Sequence, residues 1–105
     1  MPRWVFTSEL PHLKEAVFDA LSTEDLRRSM ILPPTAIGTQ PPTDGGFYFN
    51  EGVPIVNVLA APWYLFDKQD TLDKIDKASL VPLTRATIRI VNSTAGISAA
   101  EMRTA

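Results

Sequence analysis

Apolar residues recur with helical spacing soon after the N-terminus of the chain. Behind Ser8, apolar side chains recur every three or four residues, at Leu10, Leu13, Val17, Ala20 and Leu21. This spacing predicts an amphipathic helix over residues 8–21 that buries one face. Because serine accepts a hydrogen bond from the free N–H groups of a first helical turn, Ser8 is the predicted N-cap.

Two apolar runs in the middle of the chain are too short for helices and predict strands. Residues 29–32 form the first run, which ends at Pro33-Pro34, where proline cannot donate to a β-ladder. Residues 53–60 form the second run, which is rich in β-branched residues and predicts a strand covered on both faces. Between them, residues 33–46 are rich in proline and glycine and predict a long loop.

A second helix is predicted near the C-terminus, from Lys77 or Ser79 to Asn92. Ser79 is its predicted cap, because Pro82 then falls in the first turn, where proline is tolerated. Before it, Asp70 or Thr71 is expected to cap a short turn. Residues 93–105 are expected to be a frayed tail.

The element order is therefore helix, strand, long loop, strand, loop, helix, within one domain that spans residues 1–105. This order predicts the α/β class. Since two strands alone make a marginal sheet, the chain is expected to add strands in its loops, to pair with another copy, or to belong to something larger.

Composition removes several classes of function. The net charge is −2 and no basic block is present, which argues against a nucleic-acid or anionic-membrane partner. The absence of cysteine and the single histidine, His12, exclude a disulfide framework, thiolate metal sites and most Ser-His-Asp chemistry for an isolated chain. The N-terminus lacks the apolar core of a signal peptide, so a soluble protein of undecided compartment is predicted.

Three sets of charged residues have both a chemical and a structural interpretation. The carboxylates of Asp67, Asp70, Asp73 and Asp76 are regularly spaced, yet the central glycine and terminal glutamate of a calcium loop are missing. A capped helix start with solvated charges is therefore preferred there. His12 and Glu15 could exchange a proton, but a surface pair is favoured. Arg85 and Arg89 could grip an anion, but a solvent-facing helix edge is favoured.

The central loop and the segment after the second strand suggest a binding surface. Gly45-Gly46 does not fit a phosphate loop, because no lysine followed by serine or threonine comes next and no helix is expected to open there. The run Trp63–Phe66 could form a hydrophobic binding wall, although core or interface packing is favoured.

Several segments in a fixed order resemble one enzyme family. They are Pro41–Phe47, Gly52–Asn57, Tyr64 and Asp70–Asp76. Together they resemble the C-terminal third of the co-catalytic zinc aminopeptidases, in which a Ser-Asp-His-x-x-Phe segment precedes a Gly-Ile/Val-Pro strand. A Tyr-His-Thr-x-x-Asp-Thr segment then leads into the last long helix. The resemblance covers residues 8–92.

The resemblance implies a fragment of a mixed-sheet, three-layer zinc-peptidase-like domain. The family uses two zinc ions, a bridging carboxylate and a glutamate base, most of which come from the first two thirds of its domain. The positions of this chain that match the family's loops are Asp44, Phe47, Tyr64, Asp70 and Thr71.

The zinc-ligand histidine of the family has no counterpart in this chain. Counting forward from Tyr64 places this histidine at Leu65, and counting back from Asp70-Thr71 places it at Phe66. In the earlier segment, Gly45 replaces the family's histidine. Since none of these side chains binds zinc, no catalytic, cofactor-binding or metal residue is expected, and no cofactor for this chain.

The resulting hypothesis is a C-terminal portion of a zinc-aminopeptidase-like domain that is catalytically incompetent alone. Because its missing sheet neighbours would leave open edges, it is expected to form a homo-oligomer or to pair with an upstream peptidase-like chain. One alternative is a small free-standing binding or scaffold module that uses the 33–50 loop and the hydrophobic wall of Trp63–Phe66. Another is a metal-dependent hydrolase whose missing ligands come from a partner.

Overall fold

The computed structural model describes residues 3–60, 67–69 and 71–104, and these form a small mixed α/β domain. The strands are β1 (Arg3–Thr7), β2 (Ser29–Leu32) and β3 (Val56–Leu59). The α-helices in the described residues are α1 (Pro11–Thr23), α2 (Gly45–Asn50), α3 (Leu80–Thr94) and α4 (Ala99–Met102). Two 3₁₀ helices, Leu72–Lys74 and Lys77–Ser79, lead into α3. The predicted α/β class is thus confirmed.

The strand that the sequence did not predict is the central one. The sheet order is β2–β1–β3, with β1 parallel to β2 and antiparallel to β3. The prediction that the first element is a helix was therefore wrong. A short run such as Trp4-Val5-Phe6, buried on both faces, has no alternation of apolar and polar positions to reveal it.

Both faces of β1 are buried, and one of them carries the core shared with the helices. Val5 packs there against α1 and α3, together with the partly buried Ile31 of β2 and Val56 of β3. The buried members of this cluster are Val5, Val17, Ala20, Leu21, Leu26 and Ala86. On the opposite face Phe6 is 0% exposed and meets Trp4 edge to face, with ring centroids 6.4 Å apart. Hence the all-apolar pattern predicted for a doubly covered strand belongs to β1.

β3 is shorter and less covered than the strand predicted over residues 53–60: it spans Val56–Leu59 and, among the described residues, lies at an edge of the sheet. Within the described residues its single neighbour is β1. Val58, in its middle, is 44% exposed. Composition alone could not separate an apolar edge strand from an interior one, because strand order decides which of the two it becomes.

The first helix is confirmed, but its predicted cap is wrong. α1 begins at Pro11, and Leu10 is at the N-cap position without a side-chain hydrogen bond. Ser8 is instead buried, where its hydroxyl accepts a hydrogen bond of 2.8 Å from the N–H of Ile55. Its own N–H donates to the Ile55 carbonyl at 3.0 Å. Ser8 therefore joins the exit of β1 to the residue before β3.

Two short helices replace irregular structure that the sequence predicts. A helix does open at Gly45-Gly46, contrary to prediction, although the lysine of a phosphate loop is still missing. Gly46 is buried so closely that a Cβ atom would lie 2.6 Å from the Pro41 carbonyl, which explains the need for glycine. The tail of residues 93–105 contains α4, whose cap is Ser98: its hydroxyl accepts from the Glu101 N–H at 3.1 Å.

The last long helix agrees with the sequence in position and differs in its cap. α3 begins at Leu80, with Pro82 in its first turn as predicted. Ser79 is at the N-cap position, but its hydroxyl makes no capping hydrogen bond to the backbone.

Candidate functional site

The loop positions that match the zinc aminopeptidases lie in two separate places. Asp44 directly precedes α2, and Phe47 lies within α2 with 71% of its surface exposed. Tyr64 and Asp70 lie outside the described residues. Thr71 is exposed, and its hydroxyl donates to the Asp73 carboxylate, so it does not cap the following turn as predicted.

A hydrogen-bonded corner fixes the segment around Asp44 to β3. The Thr43 hydroxyl donates to the side-chain oxygen of Asn57, in β3. The Asn50 amide, at the end of α2, donates to the side-chain oxygen of Gln40. The structure thus brings Asp44 beside the strand, whereas the hydrogen bonds of Thr71 stay within its own turn. The sequence singles out Asn57 only as the end of the Gly52–Asn57 segment, and strand pairing places it here.

The aspartates after the second predicted strand serve local structure. Asp67 accepts a hydrogen bond of 2.9 Å from the Gln69 N–H, and Asp73 pairs with Lys74 at 3.4 Å. Asp76 accepts from the Ser79 hydroxyl at 2.6 Å. No group of three or more histidine, cysteine, aspartate or glutamate side chains that could hold a metal occurs within the described residues. The local contacts of Asp67, Asp73 and Asp76 fit the structural interpretation, and Asp70 lies outside the described residues.

Asp76 is part of a cluster that joins the start of α3 to β1. The Arg3 guanidinium donates to the Ser79 hydroxyl at 2.6 Å and lies 4.0 Å from the Asp76 carboxylate. The Ser79 hydrogen bond, and then the charge of Arg3, lower the pKa of Asp76 below its usual 3.8. Likewise, hydrogen bonds from Thr71 and Lys74 lower the pKa of Asp73.

Replacing Asp76 with asparagine should make stability less sensitive to acid. A carboxylate whose pKa is lower in the folded state stabilises the fold above its unfolded pKa, and this contribution is lost as the pH falls through the folded value. The wild-type melting temperature should therefore fall more steeply below about pH 4 than that of Asp76→Asn. Thermal melts at a series of pH values measure this difference. Asp19→Asn, an exposed change on α1, is the control; equal slopes for wild type and Asp76→Asn would contradict the assignment.

The other predicted charged sites also have structural roles. Glu24, whose side chain is 9% exposed, accepts a hydrogen bond of 3.0 Å from Arg89 and lies 4.0 Å from Arg85. Both arginines therefore join α3 to the end of α1, and both are exposed, as predicted for a solvent-facing helix edge. His12 and Glu15 are exposed on α1, and no ion pair joins them in the described part of the chain.

Thr43, Asp44 and Asn57 form what we call the Asp44 corner. Next to it, the outer edge of β3 carries backbone groups that have no strand neighbour among the described residues. In an antiparallel ladder, residues alternate between those bonded to the neighbour and those turned away. Because Ile55 is bonded to Ser8, the backbone groups of Val56 and Val58 face outward. These groups have no strand neighbour among the described residues.

Comparisons with known proteins identify no relative of this chain. No protein-family model, no curated protein and no solved structure matches the chain. The fold itself defines a small mixed α/β domain with a three-stranded mixed sheet, described over residues 3–60, 67–69 and 71–104. None of its helices in those residues has the length and hydropathy needed to cross a membrane.

Proposed function

We propose that this chain is the C-terminal portion of a zinc-aminopeptidase-like domain that does no catalysis alone and works by completing its sheet with another polypeptide. In that role, β3 pairs with an upstream peptidase-like portion. When the chain is isolated, a second copy takes the same edge. The observation that carries the proposal is the uncharged outer edge of β3, which has no strand neighbour among the described residues.

The edge of β3 has the properties of a pairing strand. Its sequence, Val56-Asn57-Val58-Leu59, contains no lysine, proline or other group that protects natural edge strands from association. The outward-facing N–H and C=O groups of Val56 and Val58 match the ladder of an added strand. An exposed edge of this kind promotes association with another chain. We therefore expect a partner to cover it.

A second surface without a partner among the described residues lies on α3. One side of this helix packs into the core through Leu83, Ala86 and Ile90. A second side carries the arginines that bind Glu24. The remaining side is apolar and more than half exposed, with Val81 at 58%, Ile88 at 53% and Val91 at 59%. An uncharged helix side of this kind is typical of a helix that packs against further structure.

The proposal of a non-catalytic role rests on the side chains that are present. The positions of the family's zinc-ligand histidine hold Leu65 or Phe66, and Gly45 stands for the other histidine. His12, the single histidine, lies on the exposed face of α1. A co-catalytic site needs several ligands and a base in one place, so these must come from elsewhere in any active parent.

Native mass spectrometry of the purified chain, with and without added zinc, tests the proposal. We expect a metal-free dimer that Val58→Lys converts to a folded monomer, because a lysine on an edge strand opposes strand pairing. Val53→Lys places the same charge on a similarly exposed valine outside the strands and should leave the dimer intact. Circular dichroism confirms that both variants fold.

Two results would overturn the proposal, each in favour of a different function. A metal-free monomer would favour the free-standing binding module, since no unsatisfied edge then drives association. Stoichiometric zinc on the chain would show that ligands are present after all and would favour the metal-dependent hydrolase.

A further inference from the structure

A groove runs beside the other outer strand of the sheet, β2. It has a volume of about 530 Å³. The side chains of Leu21, Leu26 and Ile31 form its apolar surface, and Phe18 adds an aromatic wall. Phe18 is 66% exposed, although its neighbours on α1 at positions 17, 20 and 21 are buried. The groove lies away from the Asp44 corner and the edge of β3, and the proposed function does not use it.

The backbone of β2 offers hydrogen-bonding groups along this groove. Arg3 donates its N–H to the carbonyl of Arg28 at 2.7 Å, which fixes the phase of the parallel ladder between β1 and β2. By the alternation of such a ladder, the N–H and C=O groups of Ser29 and Ile31 face away from β1. β1 is the single strand neighbour of β2 in the described residues. Ser29 and Ile31 are also the β2 residues that line the groove.

Ser29 adds a polar group that the fold itself leaves unused. Its hydroxyl oxygen is shielded from solvent, and it has no hydrogen-bond partner within the described residues. Buried hydroxyls are normally satisfied, so one without a partner calls for an explanation. A ligand that lies in the groove would supply the missing acceptor or donor.

The start of β2 is cationic. Arg27 and Arg28 directly precede the strand, and both are exposed. Asp25 orients the first of them: it adopts a left-handed turn, with a φ of 55°, and its carboxylate accepts from the Arg27 guanidinium at 2.6 Å. An antiparallel strand beside β2 would bring its C-terminal end to these arginines. Because Asp25 already pairs with Arg27, the charge of Arg28 is the one that complements a carboxylate there.

We propose that the open edge of β2 and its groove bind an extended peptide, which runs antiparallel to the strand. The peptide backbone pairs with Ser29 and Ile31, and an apolar side chain fills the space against Phe18 and Leu26. An acidic residue or free C-terminus lies beside Arg27 and Arg28. Strand addition of this kind takes its affinity from the backbone and its specificity from the pocket. It is independent of the pairing proposed for β3.

A labelled octapeptide of alternating leucine and threonine, ending in glutamate, is the probe. Fluorescence anisotropy with the full chain should show saturable binding. N-methylation of the alternate amides that face β2 should abolish binding, whereas N-methylation of the other set should preserve it. This contrast separates strand addition from general attraction to an apolar surface. Capping the C-terminal carboxyl groups as amides should weaken binding.

Variants of the groove locate the site. Phe18→Ser should weaken binding by about tenfold, because the aromatic wall is lost. Phe47→Ser, a matched change at another exposed phenylalanine, should have no effect. Ser29→Ala should weaken binding by about threefold to tenfold and leave the melting temperature unchanged or higher, since no hydrogen bond within the described fold is lost.

The experiment also separates this proposal from the one for β3. Val58→Lys should bind the probe as the wild type does, because it alters the opposite edge of the sheet. Absence of saturable binding would overturn the peptide groove while leaving the β3 proposal standing. So would binding that is indifferent to the position of N-methylation or to Phe18→Ser.

Discussion

Replacing Phe6 with alanine should lower the free energy of unfolding by about 3–5 kcal/mol, the largest effect expected for any single change in this chain. Phe6 is 0% exposed on the central strand, with its ring against Trp4. Truncation removes the transfer free energy of the ring and leaves a cavity that β1, held between two strands, cannot collapse to fill. Urea unfolding followed by circular dichroism measures the change.

A matched control distinguishes burial from the loss of a phenylalanine as such. Phe47 lies on α2 and is 71% exposed, so Phe47→Ala should change the free energy of unfolding by no more than about 0.5 kcal/mol. If Phe6→Ala leaves too little folded protein to measure, Phe6→Leu should show the same direction with a smaller loss. Equal, small effects at positions 6 and 47 would mean that the face of β1 opposite α1 and α3 is not packed as described.

The two long helices, α1 and α3, were the most predictable part of this fold. α1 and α3 each bury a stripe of apolar side chains, and that stripe repeats in the sequence with the period of the helix. β1 has no such periodic pattern, because a short strand that is buried on both faces is apolar at every position. β3 shows the opposite difficulty: its apolar residues predict a strand covered on both faces, but Val58 is 44% exposed, and the order of strands in the described residues places β3 at an edge.

Candidate sites were less predictable than elements, since they depend on contacts between distant residues. The two arginines of α3 are exposed, as predicted for a solvent-facing edge, but the sequence did not show that both pair with Glu24 at the end of α1. The groove beside β2 combines residues of α1, the following turn and the strand, and its one sequence signal is Phe18 among the polar residues of α1. Asp44 and Phe47 were predicted from a family resemblance, and the fold places them at α2 without testing that resemblance.

Ser8→Ala is expected to cost about 1–3 kcal/mol of stability, because it leaves a buried backbone donor without a partner. The Ser8 hydroxyl accepts the N–H of Ile55, and this bond closes the ladder between β1 and β3 at the point where the chain turns into α1. Ser93→Ala, an exposed change on α3, is the matched control and should be close to neutral.

Amide hydrogen exchange makes this second prediction specific to the position of the bond. If Ser8 joins β1 to the start of β3, the Ile55 amide should exchange faster in Ser8→Ala than global destabilisation accounts for, while the first turn of α1 keeps its protection. If Ser8 instead capped the helix, the added exchange would appear in the amides that follow Leu10. Since β3 is held to the sheet through β1 alone in the described residues, loosening this junction should also weaken dimers formed through the β3 edge.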